Sequence, residues 1–193
     1  MKLKKRLFAE TSRKVGLPSS SATEKDWWVT HTLSVIFSMD CAKALTFKGG
    51  TSLSKAWNLI QRFSEDIDLV VLKREGESNN KLTTKIKTIT GVVDAVLPEA
   101  YIEGLTNKRG MNRKTAHSYS KEFRGDYGQV RDVIVVEATW LGYYEPYTTK
   151  SITSFVGDMM LKNNQTDIAK DYGLLPFELL VLSPIRTICE KIM

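Results

Sequence analysis

The stretch from Phe47 to Val71 constrains the fold more than any other part of the chain. An apolar run ends at Gly49 and Gly50, where paired glycines allow positive φ and leave room for a ligand near the backbone. Helically spaced apolar residues follow, and then a short apolar run that begins with Asp66 and Asp68. The pattern predicts a strand, a tight glycine turn, a short helix and a second strand that carries two acids.

Alternating residues of a strand point to the same side, so Asp66 and Asp68 are expected to share one face. Two carboxylates beside a glycine turn can hold Mg²⁺ against a phosphate, because Mg²⁺ prefers one or two carboxylates plus phosphate oxygens. A solvated strand edge is the alternative. Without a partner or a metal, however, two aspartates would be costly next to an apolar strand. Thr51 or Ser52 is expected to cap the helix after the turn.

Two motifs in this stretch, Gly49-Gly50-Thr51 and Arg62-Phe-Ser-Glu-Asp-Ile-Asp-Leu69, resemble the nucleotidyltransferase superfamily with the DNA polymerase β-like fold. More narrowly, they resemble the AbiEii/AbiGii family of toxin nucleotidyltransferases. The resemblance implies an α/β (α+β) fold with a mixed central β-sheet flanked by helices. It also implies Mg²⁺ or Mn²⁺ as the cofactor and a nucleoside triphosphate (NTP) as substrate.

A third acid of the superfamily lies on a strand beside the Asp-x-Asp strand, and Glu137 matches it within the β-run 133–140. It would complete the metal site or act as base toward an attacking hydroxyl. A water-facing strand edge is the alternative. The family-like motif that starts at Pro184 ends in Lys191, which by resemblance reaches the nucleotide phosphates.

The candidate site therefore has three groups of residues. The catalytic candidates are Asp66, Asp68, Glu137 and Lys191, and the metal candidates are Asp66, Asp68 and Glu137. The nucleotide-binding candidates are Gly49, Gly50, Thr51, Ser52, Arg62 and Ser64. Arg62 would fork onto phosphate oxygens, and a surface ion pair with Glu65 is its alternative role.

The chain has 193 residues, which is enough for one domain with a sizeable core. We expect one nucleotidyltransferase domain over residues 1–193, with N-terminal helices over 1–40 and the catalytic core over 41–193. The resemblance implies a further helical region after residue 193, with another catalytic aspartate motif. Two cysteines, Cys41 and Cys189, and the lack of a long apolar run favour a reduced, cytoplasmic protein without a membrane anchor.

Local patterns also predict the main helices and strands. Helices are expected over 3–16, from a capping box of Thr23 and Asp26 onward, and over 82–96. A strand is expected over 177–182, followed by a helix with Pro184 at its first position.

The net charge of +6 favours a polyanionic partner, though a basic, soluble surface would have the same charge. The segment 107–131 concentrates basic residues with interleaved aromatics, which could contact RNA phosphates and stack on bases. An exposed hairpin with charged edges is the alternative. The basic residues are Lys108, Arg109, Arg113, Lys114, Lys121, Arg124 and Arg131, and the aromatics are Tyr119, Phe123 and Tyr127.

The expected reaction is transfer of a nucleoside monophosphate from an NTP to RNA. By resemblance the acceptor is the 3′ end of a tRNA, and the protein is the toxin of a type IV toxin–antitoxin or phage-defence system with an antitoxin encoded nearby. Two alternatives stay open. One is an enzyme of this fold that modifies a protein or small molecule, and the other is a non-catalytic RNA-binding module.

Overall fold

The computed structural model describes residues 2–17, 19–60, 64, 66–123, 131–141 and 145–192. The helices are α1 (Lys2–Val15), α2 (Ser20–Phe37), α3 (Gly49–Lys55), α4 (Asn79–Val96), α5 (Phe155–Lys162), α6 (Thr166–Asp171) and α7 (Pro184–Ile192). The strands are β1 (Leu45–Lys48), β2 (Asp66–Val71), β3 (Glu99–Ala100), β4 (Asn112–His117), β5 (Ile134–Thr139), β6 (Tyr147–Ile152) and β7 (Phe177–Leu182). Within these ranges, no helix combines the length and apolar character that a membrane span requires.

The described strands form one seven-stranded sheet in the order β3-β4-β5-β2-β1-β7-β6. The pairs β2–β5 and β1–β7 are parallel, and the other neighbouring strands are antiparallel. Helices flank this mixed sheet, which confirms the α/β architecture expected from the sequence.

The two faces of the sheet differ sharply in chemistry. Alternation along each strand sends apolar side chains to one face, where they form the main core with α2 and α4. Fully buried members of this core from the central strands include Phe47, Ile67, Leu69 and Ile134. Their strand neighbours point to the opposite face, which carries the charged residues Lys48, Asp66, Asp68, Lys114 and Glu137, whereas Arg113 of β4 lies on the same face as α4.

Two helix starts differ from those expected. The Ser19 hydroxyl caps α2 by accepting the Ala22 N–H at 3.2 Å, so Thr23 lies inside the helix rather than at its cap. Helix α3 begins at Gly49 with Lys48 as its N-cap residue, so neither Thr51 nor Ser52 caps it. In both cases the chain turns into the helix earlier than the local pattern indicates.

Helix α2 buries two consecutive charges that hold the ends of a distant segment. The Glu24 carboxylate accepts the backbone N–H groups of Glu122 at 2.6 Å and Phe123 at 3.2 Å. The Lys25 ammonium donates to the backbone carbonyl of Arg131. Burial raises the pKa of Glu24, and the two backbone hydrogen bonds counteract that rise. The chain positions before residue 124 and after residue 130 are therefore both fixed against α2.

The third consecutive charge, Asp26, joins α2 to two other helices. Its carboxylate lies 2.5 Å from the Lys55 ammonium at the end of α3 and accepts the Phe155 N–H at the start of α5 at 2.8 Å. Both side chains of the ion pair are almost fully buried, at 7% exposure for Lys55 and 3% for Asp26. The Lys55 ammonium therefore neutralises a buried carboxylate within the protein.

Replacing Asp26 by Asn should destabilise the protein by about 3–5 kcal/mol, because Lys55 would remain buried without its counter-charge. Urea denaturation gives the unfolding free energy. Adding Lys55→Met should recover much of the loss, since no buried charge is then left.

The exposed pair of Glu10 and Lys14, at 3.2 Å, is the matched control. Glu10→Gln should change stability by less than about 0.5 kcal/mol. A loss for Asp26→Asn no larger than that of the control would show that the buried pair does not stabilise the fold.

Candidate active site

A row of four charged residues crosses the sheet on the face away from the main core. Lys48 of β1 lies opposite Asp68 of β2, Asp68 lies opposite Glu137 of β5, and Glu137 lies opposite Lys114 of β4. Directly opposite residues of antiparallel strands, here Lys48 with Asp68 and Lys114 with Glu137, have Cβ atoms about 4.5–5.5 Å apart. The two acids therefore sit side by side between two lysines, with Glu137 on the same face as Asp66 and Asp68.

The glycine turn lies directly against the central acid. Gly49 has a φ of +79°, and a Cβ atom added there would stand 1.9 Å from Oδ2 of Asp68. Any other residue at this position would collide with that carboxylate and also adopt a strained backbone conformation. Glycine is thus required here for the positive φ that the sequence suggested, and also because the Asp68 carboxylate fills the space that a side chain would need.

The pKa values of the neighbouring acids Asp68 and Glu137 are shifted in opposite directions. Burial, together with repulsion from Glu137 and Asp66, raises the pKa of Asp68 to about 6. Burial alone would raise the pKa of Glu137, but a hydrogen bond from Asn112 at 2.8 Å and the Lys114 ammonium at 3.1 Å lower it overall. No hydrogen bond to the Asp68 carboxylate comes from the described residues. The unfavourable charge is therefore concentrated on Asp68.

The outer acid of β2, Asp66, is held by an arginine. One terminal nitrogen of Arg131 donates to both carboxylate oxygens, at 2.7 Å and 3.0 Å. Both side chains are partly exposed, at 46% for Arg131 and 34% for Asp66. Asp66 and Glu137 thus each pair with a cation from the β4–β5 side of the sheet. Asp68 lies next to both of these acids.

Helix α7 closes the other side of the charged row. Its Glu190 accepts a hydrogen bond from the Lys48 ammonium at 2.8 Å, which ties the helix to the residue before the glycine turn. Helix α7 also packs against α3. Lys191 follows Glu190 in this helix, so its backbone lies near the turn, while its side chain is outside the described part of the structure.

The hydroxyl groups expected to bind phosphate are engaged within the protein. Thr51 is fully buried, donates to the Asp66 carbonyl at 2.6 Å and pairs with the Ser64 hydroxyl at 2.9 Å. Ser52 is also fully buried and donates to the Gly49 carbonyl at 2.9 Å. These side chains hold the turn to β2, which leaves backbone N–H groups, including that of Gly50, as the phosphate donors of this stretch. Arg62 and Glu65 lie outside the described residues.

A family model described as nucleotidyl transferase AbiEii toxin, type IV toxin–antitoxin system, matches residues 37–193. This chain belongs to that AbiEii toxin family. The match includes the glycine turn, the Asp-x-Asp strand, Glu137 and α7, but it excludes nearly all of α1 and α2. No curated protein and no solved structure matches the chain significantly. The AbiEii family is a nucleotidyltransferase family of type IV toxin–antitoxin systems, which assigns this chain to that enzyme class.

The carboxylates in this charged row of the AbiEii-family chain are suitable ligands for a divalent cation. Carboxylates are the ligands that Mg²⁺ prefers, and Asp68 carries negative charge that no described hydrogen bond offsets. Within the described residues, however, no three acidic, histidine or cysteine side chains converge closely enough to hold an ion. Arg131 and Lys114 instead occupy two of the three carboxylates. The donors fit the metal that the family implies, but in this arrangement they face internal cations.

Most of the described cations in the basic segment have partners within this AbiEii chain. Besides Lys114 and Arg131, Lys108 pairs with Glu99 at 2.5 Å, and Lys121 pairs with Asp132. The aromatic residue Tyr119 is buried, with only 7% exposure, so it offers no surface for a base to stack on. The sequence pattern that suggested RNA contact therefore serves mainly to connect the sheet. Arg124 and Tyr127 lie outside the described residues.

A basic groove lies away from the acids. This groove of about 430 Å³ lies between α4 and the start of β4, with Lys87, Lys108, Arg113 and Trp140 in its lining. Arg113 neighbours Lys114 and hydrogen-bonds Thr90 of α4 at 3.3 Å, so this groove lies on the opposite face of the sheet. Among the described residues no carboxylate lines this groove, so it suits an anion but provides no acid chemistry.

Several residues of the site were missed by sequence reasoning. Asn112 and Lys114 alternate in β4 as Asp66 and Asp68 do in β2, and this alternation is the local sign of a polar strand face. Nothing local marks Arg131 as a partner of Asp66, or Glu190 as a partner of Lys48, because each pair joins distant parts of the chain.

Replacing Gly49 by Ala should destabilise the protein more than the same change at Gly104. Gly104 has a similar φ of +74°, but an added Cβ there meets nothing within 4 Å. We expect the Gly49 variant to lose at least about 1 kcal/mol more than the control, because the methyl group displaces the Asp68 carboxylate. Thermal unfolding of both variants, and of each combined with Asp68→Ala, measures the excess.

In the Asp68→Ala background the excess at Gly49 should largely disappear, since the colliding carboxylate is gone. Equal losses at Gly49 and Gly104 in the unmodified protein would show that the turn and the acid are not in contact.

Replacing Asp68 by Asn should stabilise the metal-free protein at neutral pH by about 1–2 kcal/mol, since about 1.4 kcal/mol corresponds to each pKa unit before solvent screening. The folded pKa of Asp68, about 6, lies above its unfolded value. The original protein should therefore lose stability as pH rises from about 4 to 6, and the variant should gain its full advantage above that range.

Urea denaturation in EDTA between pH 4 and 8 measures this difference. Asp171→Asn, at an exposed position in α6, is the control and should shift stability by less than about 0.5 kcal/mol at every pH. An advantage of Asp68→Asn that does not depend on pH would contradict the charge repulsion.

Proposed function

We propose that this AbiEii-family protein transfers a nucleoside monophosphate from an NTP to an RNA hydroxyl, most specifically at the 3′ end of a tRNA, and releases pyrophosphate. The reaction depends on Mg²⁺ or Mn²⁺, and the protein acts as a toxin in phage defence opposed by its antitoxin. Residues 41–193 form the catalytic core, and the helices of residues 1–40 support it.

One observation carries the proposal: Asp68 stands opposite Glu137, on the same face as Asp66, with Gly49 packed against its carboxylate. A fold that kept these acids only for stability would gain nothing from placing two carboxylates side by side, because like charges directly opposite one another are destabilising. Such a cost is typical of functional sites.

The three acids divide the work according to their surroundings. Asp66 and Asp68 would hold the divalent cation. When bound, this cation would neutralise phosphate charge and lower the pKa of the attacking hydroxyl. Lys114 and Asn112 lower the pKa of Glu137, so it stays ionised and suits a charge-stabilising role better than that of a proton acceptor. Of the two roles expected for Glu137 from sequence, completing the metal site is therefore favoured over acting as a base.

The nucleotide phosphates would lie over the glycine turn. The first N–H groups of α3 have no acceptor within the helix, and Gly49 and Gly50 have no side chains to block their approach. The buried hydroxyls of Thr51, Ser52 and Ser64 fix the turn against β2. Lys191 supplies positive charge from α7, and we assign Arg62 the same role.

The net charge of +6 supports a polyanionic acceptor such as RNA, and the groove beside Trp140, on the sheet face away from the acids, would contact RNA at a distance from the reacting end. Lysine and arginine neutralise backbone phosphates, and an indole ring offers a surface on which a base can stack. The 3′ end of a tRNA is the acceptor that the family resemblance favours.

The test is transfer of label from α-³²P NTPs, each supplied separately, to a total tRNA pool and to protein acceptors in the presence of Mg²⁺. We expect label on tRNA, and the variant with both Asp66→Asn and Asp68→Asn should reduce transfer by about a thousandfold or more. Glu137→Gln should reduce it by about a hundredfold, since Asp66 and Asp68 remain.

Asp132→Asn is the matched control, because it removes an exposed acid that lies just before β5 and pairs with Lys121. Its transfer rate should stay within about twofold of the original. Label on protein but not on tRNA would refute the acceptor, and tRNA binding without transfer to any acceptor would refute the enzymatic function.

A further inference from the structure

The cation on Asp66 differs in kind from the other cations of the site. Lys114 is held within β4, and its acid partner Glu137 is bound a second time by Asn112. Arg131 instead lies outside the regular strand, before β5 begins, and 46% of its side chain is exposed. Its guanidinium can therefore leave Asp66 without breaking a strand.

The backbone of Arg131 is nevertheless fixed. Its carbonyl accepts a hydrogen bond from Lys25, whose side chain is fully buried in α2. The neighbouring Glu24 holds the backbone at Glu122 and Phe123, on the other side of the adjoining segment. An anchored backbone with a partly exposed, charged side chain suits a group that changes partners at a defined place.

The guanidinium of Arg131 contacts a proposed metal ligand directly. It donates to both oxygens of Asp66, one of the two acids that would hold the divalent cation. A metal ion and Arg131 compete for the same oxygens, because a carboxylate that ligates a cation has less negative charge and fewer lone pairs to offer. An arginine displaced from a carboxylate matches phosphate oxygens equally well, since its planar fork binds both.

We propose that Arg131 is the internal counter-ion of Asp66 in the unloaded enzyme, and that on loading it releases Asp66 to the divalent cation and binds a phosphate oxygen of the NTP. Lys25 is the positioning residue that keeps Arg131 within reach of both partners. This inference rests on the proposed function, and it assigns to two residues roles that the sequence motifs did not indicate.

Calorimetric titration separates the two partners of Arg131. Mn²⁺ alone should bind Arg131→Met about three- to tenfold more tightly than the original protein, because the competing cation is gone. An NTP analogue with a methylene group between the α- and β-phosphates, titrated at saturating Mn²⁺, should bind the same variant about tenfold more weakly. A purely structural role would weaken both titrations or neither.

Three further variants sharpen the comparison. Arg131→Lys keeps the charge without the fork, and it should restore metal affinity to the original value but nucleotide affinity only in part. Lys25→Met, which releases the Arg131 carbonyl, should weaken nucleotide binding about threefold or more, because the guanidinium is less well placed. Arg109→Met removes an exposed arginine from the same basic segment and should leave both affinities unchanged.

Each outcome decides the question. Metal affinity that does not rise in Arg131→Met, or nucleotide affinity that does not fall, overturns the change of partners. Nucleotide binding that is unchanged in Lys25→Met overturns its positioning role. Original protein that binds Mn²⁺ but no nucleotide overturns the proposed function together with this inference, whereas normal nucleotide binding in every variant overturns the inference alone.

Discussion

The alignment of Asp68 with Glu137 on two neighbouring parallel strands is the constraint on which the rest of the site depends. The apolar residues on the reverse of the same strands, such as Ile67 and Val136, fix this alignment from within the main core. A slip of one residue between the strands would turn the acids into that core, which is prohibitively costly. The stability of the sheet thus enforces an electrostatically unfavourable pair on its other face.

Cations from distant parts of the chain partly offset that unfavourable repulsion between the acids. Lys114 from β4 and Arg131 from the start of the β5 segment cover the flanking acids, while Lys48 stands beside Asp68 and is itself held by Glu190. Asp68 keeps a raised pKa despite these neighbours. The site is therefore nearly neutral overall but has one acid whose charge is poorly compensated, which is where a bound cation would contribute most.

Helix α2 contributes to the site although it lies almost wholly outside the matched family region. Its consecutive charges, Glu24, Lys25 and Asp26, point in different directions because successive residues of a helix are about 100° apart. One side anchors the segment that leads to Arg131, and another joins α3 to α5. A buried charge that loses its partner is costly, so these contacts tie α2 firmly to the part of the chain that matches the AbiEii family.

The match of Glu137 to a strand beside that of Asp66 and Asp68 came from the family resemblance. The sequence patterns by themselves predicted the strands β1, β2, β5 and β7, the shared face of Asp66 and Asp68, and a positive φ at the glycine turn. These follow from short-range rules, chiefly the two-residue period of a strand and the freedom of glycine in φ. Only the tertiary structure decided the partners: which hydroxyls are buried, where the helices begin, and which cation meets which acid. Those contacts join residues up to 142 positions apart, as in Lys48 and Glu190, and a charged residue carries no local mark of the partner that folding will bring to it.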